Sequence, residues 1–331
     1  MARLVRPDDI SRFAEVLWNV GPAALAGRIF RGRNKKVLSA WEHVGSQRSS
    51  WWDLDAVIQR WNRLMTGDPA VGYQQYVARK YLSRGRGFRA VSIGCGTGNK
   101  EVGWASTGKF GTIDAYDLSP SRIQYARELA AKSKWKNKLN FQTGDVRALQ
   151  LAPATYDVVV FDHSLHHCSP LGPVVQKVHR WLKEDGILVL NEYVGPDRFQ
   201  WTDTQTEITN SLLHLLPERL RVTRNGRLKN RMTRFGELAM RLNDPSEAAE
   251  SSSILRSVMT CFTASELNPY GGTILANLLK DIAHNFQEGV EGATDWLLLL
   301  FEIEDRLMAE EVIPSDYIFA VLKKKDASHI R

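Results

Sequence analysis

Apolar positions along this chain follow two different periods, and the change between them divides it. From Trp52 to Met65, the residues Leu54, Val57, Ile58, Trp61 and Leu64 recur at helical spacing, with Asp53 near the helix start where a carboxylate suits the dipole. Gly67-Asp68-Pro69 ends that helix, and Val71–Leu82, carrying Tyr73, Tyr76, Val77 and Tyr81, predicts another. An earlier stretch, Ile10–Val20, places Phe13, Val16, Leu17 and Val20 on one face before Gly21-Pro22 breaks it. Residues 1–85 therefore read as a helical segment.

From residue 86 the pattern becomes short apolar runs separated by helical stretches. Val91–Ile93, Thr112–Tyr116, the run around Phe141, Tyr156–Asp162 and Ile187–Leu190 read as strands, several of them apolar throughout, as burial on both faces requires. Between them lie Asn99–Ser106, a helix opened by Ser119-Pro120 with Ile123, Ala126, Leu129 and Ala130 as its stripe, and Val174–Lys183, stopped by Asp185-Gly186. Strand and helix in alternation imply an α/β fold with a doubly wound, largely parallel sheet. After residue 194 the pattern departs: residues 195–253 read as a polar, basic, mostly helical insertion. Residues 254–325 then return to the sheet. Ile254–Thr263 is expected to include a sixth strand, Thr273–Phe286 and Ala293–Ala309 helices, and Tyr317–Leu322 a last strand inserted antiparallel beside the fifth.

The chemistry collects at the strand ends. Val91-Ser92-Ile93 runs into Gly94-Cys95-Gly96-Thr97-Gly98, where missing side chains allow a sharp turn and a ligand lying on the backbone. The helix after it points unpaired N–H groups at that ligand. Asp117 closes the next strand about twenty residues on, where nucleotide-binding units place a ribose-reading carboxylate. Gly144-Asp145 and Asp162 end the following two. A dinucleotide site would show G-x-G-x-x-G, whereas here Gly98 falls two residues after Gly96.

The ordered series "IGCGTG", "YDLSPSRIQYARE", "TGDV", "YDVVVFDHSLHH" and "GILVLNEYVGP", from about Ala90 to Tyr193, resembles the class I S-adenosylmethionine-dependent methyltransferases. The resemblance implies a seven-stranded Rossmann-like sheet. It also implies S-adenosyl-L-methionine as cofactor, held by Gly94, Cys95, Gly96, Gly98, Asp117, Leu118, Asp145, Val146, Asp162 and His163. Residues 86–194 would be the cofactor-binding core, residues 1–85 would cover its cleft, and the 195–253 insertion would form a substrate wall. The family usually has an acid two residues before the first glycine, where this chain has Ser92. Glu101 either supplies that charge beside the cofactor's amino group or complements the helix dipole.

Bulk properties narrow the picture further. Of 331 residues, 43% are hydrophobic, enough for a substantial core, and Trp296–Phe301, the most apolar stretch, is far too short to cross a bilayer. The N-terminus lacks a secretory apolar segment, and Cys95, Cys168 and Cys261 show no metal spacing; reduced thiols in a cytoplasmic protein are expected. The net charge of +7 gathers before Gly85 and from Arg219 to Arg241, which suits an anionic partner or an ordinary solvated face.

Three of the eight histidines, His163, His166 and His167, crowd the loop after the fourth strand. An imidazole there can take a hydroxyl proton, or it can simply pack and cap; His163, His167 and Glu192 are the candidate bases. No metal is expected, because these histidines supply only part of a ligand set. Tyr193, Arg198 and Tyr270 are candidate acceptor contacts. The fourth-strand loop lacks the Asn/Asp-Pro-Pro-aromatic pattern associated with amino methylation of nucleobases. The reading is therefore an O-methyltransferase for a small molecule or saccharide, with "GPDRFQW" and "DPSEA" resembling bacterial saccharide-modifying methyltransferases. The alternatives are a nucleic-acid methyltransferase using the basic surfaces and a non-catalytic cofactor-binding protein.

Overall fold

A computed structural model of the chain describes residues 4–10 and 50–325; beyond Ile10, the helix expected over Ile10–Val20 lies outside them. Among the described residues, α1 (Asp55–Thr66) and α2 (Tyr73–Lys80) precede a sheet of seven strands. These are β1 (Phe88–Ile93), β2 (Phe110–Asp117), β3 (Leu139–Thr143), β4 (Tyr156–Asp162), β5 (Leu182–Tyr193), β6 (Phe262–Gly271) and β7 (Tyr317–Lys324), in the order β3-β2-β1-β4-β5-β7-β6. The first five are parallel; β7 runs antiparallel to β5, as expected, and β6 antiparallel to β7. Chain order reverses between β1 and β4, which opens the ligand crevice of a doubly wound sheet.

Alternate side chains of the buried strands supply two different cores. Ala90, Val158, Val160, Ile187 and Val189 face one side, under α1, α2, α3 (Asn99–Ser106), α10 (Leu275–Leu279) and α11 (Ala293–Ala309). Val91, Val159, Phe161, Leu188 and Leu190 face the other, where they meet α5 (Leu171–Trp181) and α9 (Ile254–Cys261). The remaining core helix, α4 (Pro120–Ala131), begins at Ser119, whose hydroxyl accepts from the Arg122 N–H. Residues 254–261 are helical, so of the stretch Ile254–Thr263, expected to include the sixth strand, only Phe262 and Thr263 belong to it. Ile254, Val258 and Cys261 sit at helical spacing and bury against the second core, so β6 begins only at Phe262. Strand β5 likewise begins before Ile187, since Leu182 already pairs with Tyr156.

The insertion carries α6 (Asp203–Leu215), α7 (Glu218–Arg221) and α8 (Glu237–Asn243). Its basic run is largely engaged by the fold. Lys229 Nζ donates to the carbonyls of Asn277, Leu278 and Lys280 at the end of α10, Arg231 pairs with Asp8, and Arg241 pairs with Glu237 at 2.7 Å. Arg234 reaches Asp203 at 2.5 Å and the Trp201 carbonyl at 2.7 Å. No helix among the described residues is long and apolar enough to cross a membrane.

Candidate active site

Strands β1, β2, β4 and β5 all end on one rim of the sheet. Because β7 is antiparallel to β5, Tyr193 pairs with Tyr317, and Tyr317 pairs in turn with Gly271 of β6. The start of β7 and the end of β6 thus arrive at the same rim. This places Tyr270 and Tyr317 beside the β4 exit loop.

The glycine turn divides its labour. A Cβ on Gly98 would lie 2.8 Å from both Ala126 and Phe141, so that glycine serves close packing. Gly96, at φ +56°, has only Arg122 Nη1 near its Cβ position, at 3.7 Å, and so leaves the loop open to a ligand. Gly94 and Cys95 donate to the Tyr116 carbonyl, which ties the turn to β2. Asp117, buried, accepts from the Gly96 N–H at 2.9 Å and the Ser119 N–H at 2.8 Å, while Leu118 beside it is half-buried.

Glu101 is buried on the first turn of α3. Its Oε1 accepts from the Ser92 hydroxyl at 2.6 Å, and its Oε2 has no partner. Burial pushes its pKa up to about 7. An unpaired carboxylate oxygen buried next to an open glycine turn fits the cationic amino-acid end of S-adenosylmethionine. At the end of β3, Asp145 holds Arg147 in a two-point pair at 2.9 and 2.6 Å, and Val146 packs into the core beneath it. The Asp145 carboxylate therefore already carries a guanidinium.

Beyond β4 the backbone is strained: His163 sits at φ +53°, a conformation rare for a residue with a Cβ. Its N–H donates to the Asn191 carbonyl, and its ring meets Trp52 at 5.1 Å and Tyr317 at 5.6 Å, with Nε2 3.4 Å from the Tyr270 hydroxyl. Burial outweighs the nearby Asp162 and holds its pKa down at about 4, so the ring is neutral at physiological pH. Asp162 is itself enclosed by the Tyr73 hydroxyl, the Asn191 amide and Lys100, whose Nζ lies 3.4 Å away. Tyr270 donates to Asn191 at 2.6 Å, completing a network that links β4, β5, β6 and the N-terminal helices.

Glu192 plays a different part. Fully buried, it accepts from the N–H groups of Ser164 at 2.9 Å and Leu165 at 2.6 Å, from the Tyr193 N–H, and from His166 Nδ1. This geometry makes it the anchor of the histidine loop and leaves it poorly placed as a base. Against burial, the carboxylates of Glu192 and Glu247 raise His166 to about 10, whereas burial lowers His167 to about 3. His167 Nδ1 lies 3.4 Å from Ser246 Oγ. Tyr193 turns its hydroxyl onto the Pro196 carbonyl, and Arg198 donates to the Asp244 and Glu247 carbonyls. Both thus shape the wall of the site. Sequence patterns gave no sign that Lys100, Asn191 or Glu247 belongs here; Tyr73 stood out only within a helical stripe, and Trp52 and Tyr317 only as the starts of a helix and a strand.

Comparison with known proteins finds a methyltransferase domain and methyltransferase relatives. Residues 91–190 match the methyltransferase domain family model. The chain is 27% identical over 127 residues to a malonyl-[acyl-carrier protein] O-methyltransferase of Legionella pneumophila, covering 38% of this chain and 43% of that protein. It is 27% identical over 111 residues to the erythromycin 3''-O-methyltransferase of Saccharopolyspora erythraea, covering 34% of this chain and 36% of that protein. The match therefore spans less than half the length of either relative. A geranyl diphosphate C-methyltransferase from Streptomyces coelicolor A3(2), solved with S-adenosyl-L-homocysteine, shares the fold with a TM-score of 0.50 at 12% identity, over 90% of this chain and 99% of that one. The fold and the glycine-turn site define a Rossmann-like nucleotide-cofactor protein. This chain carries a class I S-adenosylmethionine-dependent methyltransferase domain, and S-adenosylmethionine is the cofactor of that domain.

Proposed function

We propose that this protein methylates a hydroxyl oxygen on a compact, hydroxylated acceptor such as a saccharide or a glycosylated small molecule. The observation that carries the reading is His163: a neutral imidazole at the β4 exit, held in strained backbone and faced by Trp52, Tyr270 and Tyr317. When bound, S-adenosylmethionine supplies an electrophilic methyl group on sulfur. Gly94–Gly98, Asp117, Leu118, Asp145, Val146 and Asp162 would hold it, with Glu101 at its amino-acid end. His163 Nε2 takes the acceptor's hydroxyl proton as the oxygen gains the methyl group, and the aromatic rings align the acceptor. A ring with depressed pKa is always available as a base but is a weak one, so alignment carries much of the rate.

Both relatives are named as O-methyltransferases, which supports oxygen as the acceptor atom. The nucleic-acid alternative loses support, because much of the Arg219–Arg241 run is engaged with carbonyls and carboxylates of its own chain. The test is transfer of isotopically labelled methyl from S-adenosylmethionine to a panel of sugars, sugar nucleotides, glycosides, carboxylic acids and RNA. Label in a base-stable methyl ether is expected. Label confined to base-labile esters or to RNA overturns the reading.

A further inference from the structure

His166, His167 and Glu247 each bring one donor atom to a common point, and all three atoms lie within 4.8 Å of one another. The histidines come from the turn after β4, whereas Glu247 comes from the insertion, which supplies the ligand that the histidine loop lacks by itself. His166 Nε2 and Glu247 Oε1 are 3.5 Å apart. Ligands about 2.0–2.2 Å from one tetrahedral ion stand roughly 3.3–3.6 Å from each other, so that pair already has the spacing of a shared metal.

The supporting contacts also suit a metal. His166 is held through Nδ1 by the buried Glu192, whose other oxygen is fixed by the Ser164 and Leu165 N–H groups. A carboxylate behind an imidazole is the usual support of a metal-bound histidine, since it fixes the ring and aims its other nitrogen. His167 has Ser246 Oγ at 3.4 Å from its Nδ1, and that hydroxyl is itself held by Asp244 at 2.6 Å. Arg198 pins the carbonyls on both sides of this segment, at Asp244 and Glu247.

We propose that His166, His167 and Glu247 bind a divalent transition-metal ion that clamps the insertion onto the loop bearing His163. Two imidazoles and one carboxylate favour zinc, iron, cobalt or nickel over magnesium or calcium, which prefer all-oxygen sets. Water or an acceptor oxygen would complete the coordination. The site stands whether or not His163 acts as a base, because it is read by binding and not by turnover.

The experiment uses untagged full-length protein stripped with a chelator and titrated with Co2+, followed by visible absorption. A saturable one-equivalent band, displaced by Zn2+, is expected. Glu247→Gln and His167→Ala should each abolish the band while circular dichroism stays native, and Ser246→Ala should weaken binding about tenfold or more, as loss of an outer partner does. Absence of a saturable band, or a band that both Glu247→Gln and His167→Ala retain, overturns the proposal and leaves the cluster as an ion-paired imidazolium.

Discussion

The Ser92 hydroxyl donates to Glu101 Oε1 across 2.6 Å, so the residue standing where an acid is usual in β1 holds the acid that stands in α3. The serine fixes one carboxylate oxygen and leaves the other, Oε2, buried and unpaired.

That arrangement predicts a pH-dependent cofactor affinity. Burial raises Glu101 from its ordinary 4.5 to about 7, so the folded chain holds this proton more tightly than the unfolded one. Its stabilising effect is complete below the unfolded value and is lost as pH rises toward the folded value. A ligand that brings an ammonium group to this oxygen reverses the preference. Calorimetry should show affinity for S-adenosylhomocysteine falling up to about tenfold per pH unit below the Glu101 pKa, with proton release on binding. Glu101→Gln should weaken binding and flatten this dependence; an unchanged slope in that variant removes Glu101 from the site.

His163 gives a second pH signature. An unperturbed imidazole would make turnover fall below about 6.5, but burial moves this group down to about 4. At saturating cofactor, kcat should therefore stay flat through mildly acidic pH and fall only near the lowered value. His163→Ala should reduce kcat roughly a hundredfold, as loss of a general base does, with little change in cofactor affinity. Near-normal turnover in that variant would leave alignment alone as the source of rate.

Gly96 and Gly98 should fail in opposite ways. Alanine at Gly98 meets Ala126 and Phe141 at 2.8 Å and also adopts φ +82°, so thermal melting should report a loss on the order of 2–4 kcal/mol. Alanine at Gly96 meets no protein atom closer than 3.7 Å, so the cost is the left-handed backbone, about 1–2 kcal/mol. Its new methyl group occupies the ligand's side of the turn, so cofactor affinity should drop more than tenfold. Equal cofactor affinity in the two variants would contradict this division.

Glu192 is predicted to matter for stability first. Replacing it with alanine leaves His166 and three backbone N–H groups without their acceptor in a buried place, at a cost of about 3–5 kcal/mol. Chemical denaturation measures this directly. A variant with native stability and lost turnover would instead return Glu192 to the list of bases.

The cofactor half of the protein was legible because its signals are local. Strand runs, the Gly94–Gly98 turn, the Ser119-Pro120 helix start and the strand-end acids all follow one another between Ala90 and Tyr193, and each depends on backbone periodicity or turn geometry a few residues long. The surroundings of His163 and His166 were not, because long-range packing decides them. Antiparallel pairing of β7 and β6 delivers Tyr317 and Tyr270 to His163, and the insertion delivers Glu247 to His166. Strand β6, polar at Thr263, Glu266 and Asn268, was obscured because an edge strand has no buried pattern to show. The sequence alone also left open whether Glu192 faces the acceptor or the backbone, since a carboxylate buried among N–H donors looks, in one dimension, like any other strand-end acid. Only the folded chain settles that choice, by surrounding the side chain with partners drawn from the β4 loop.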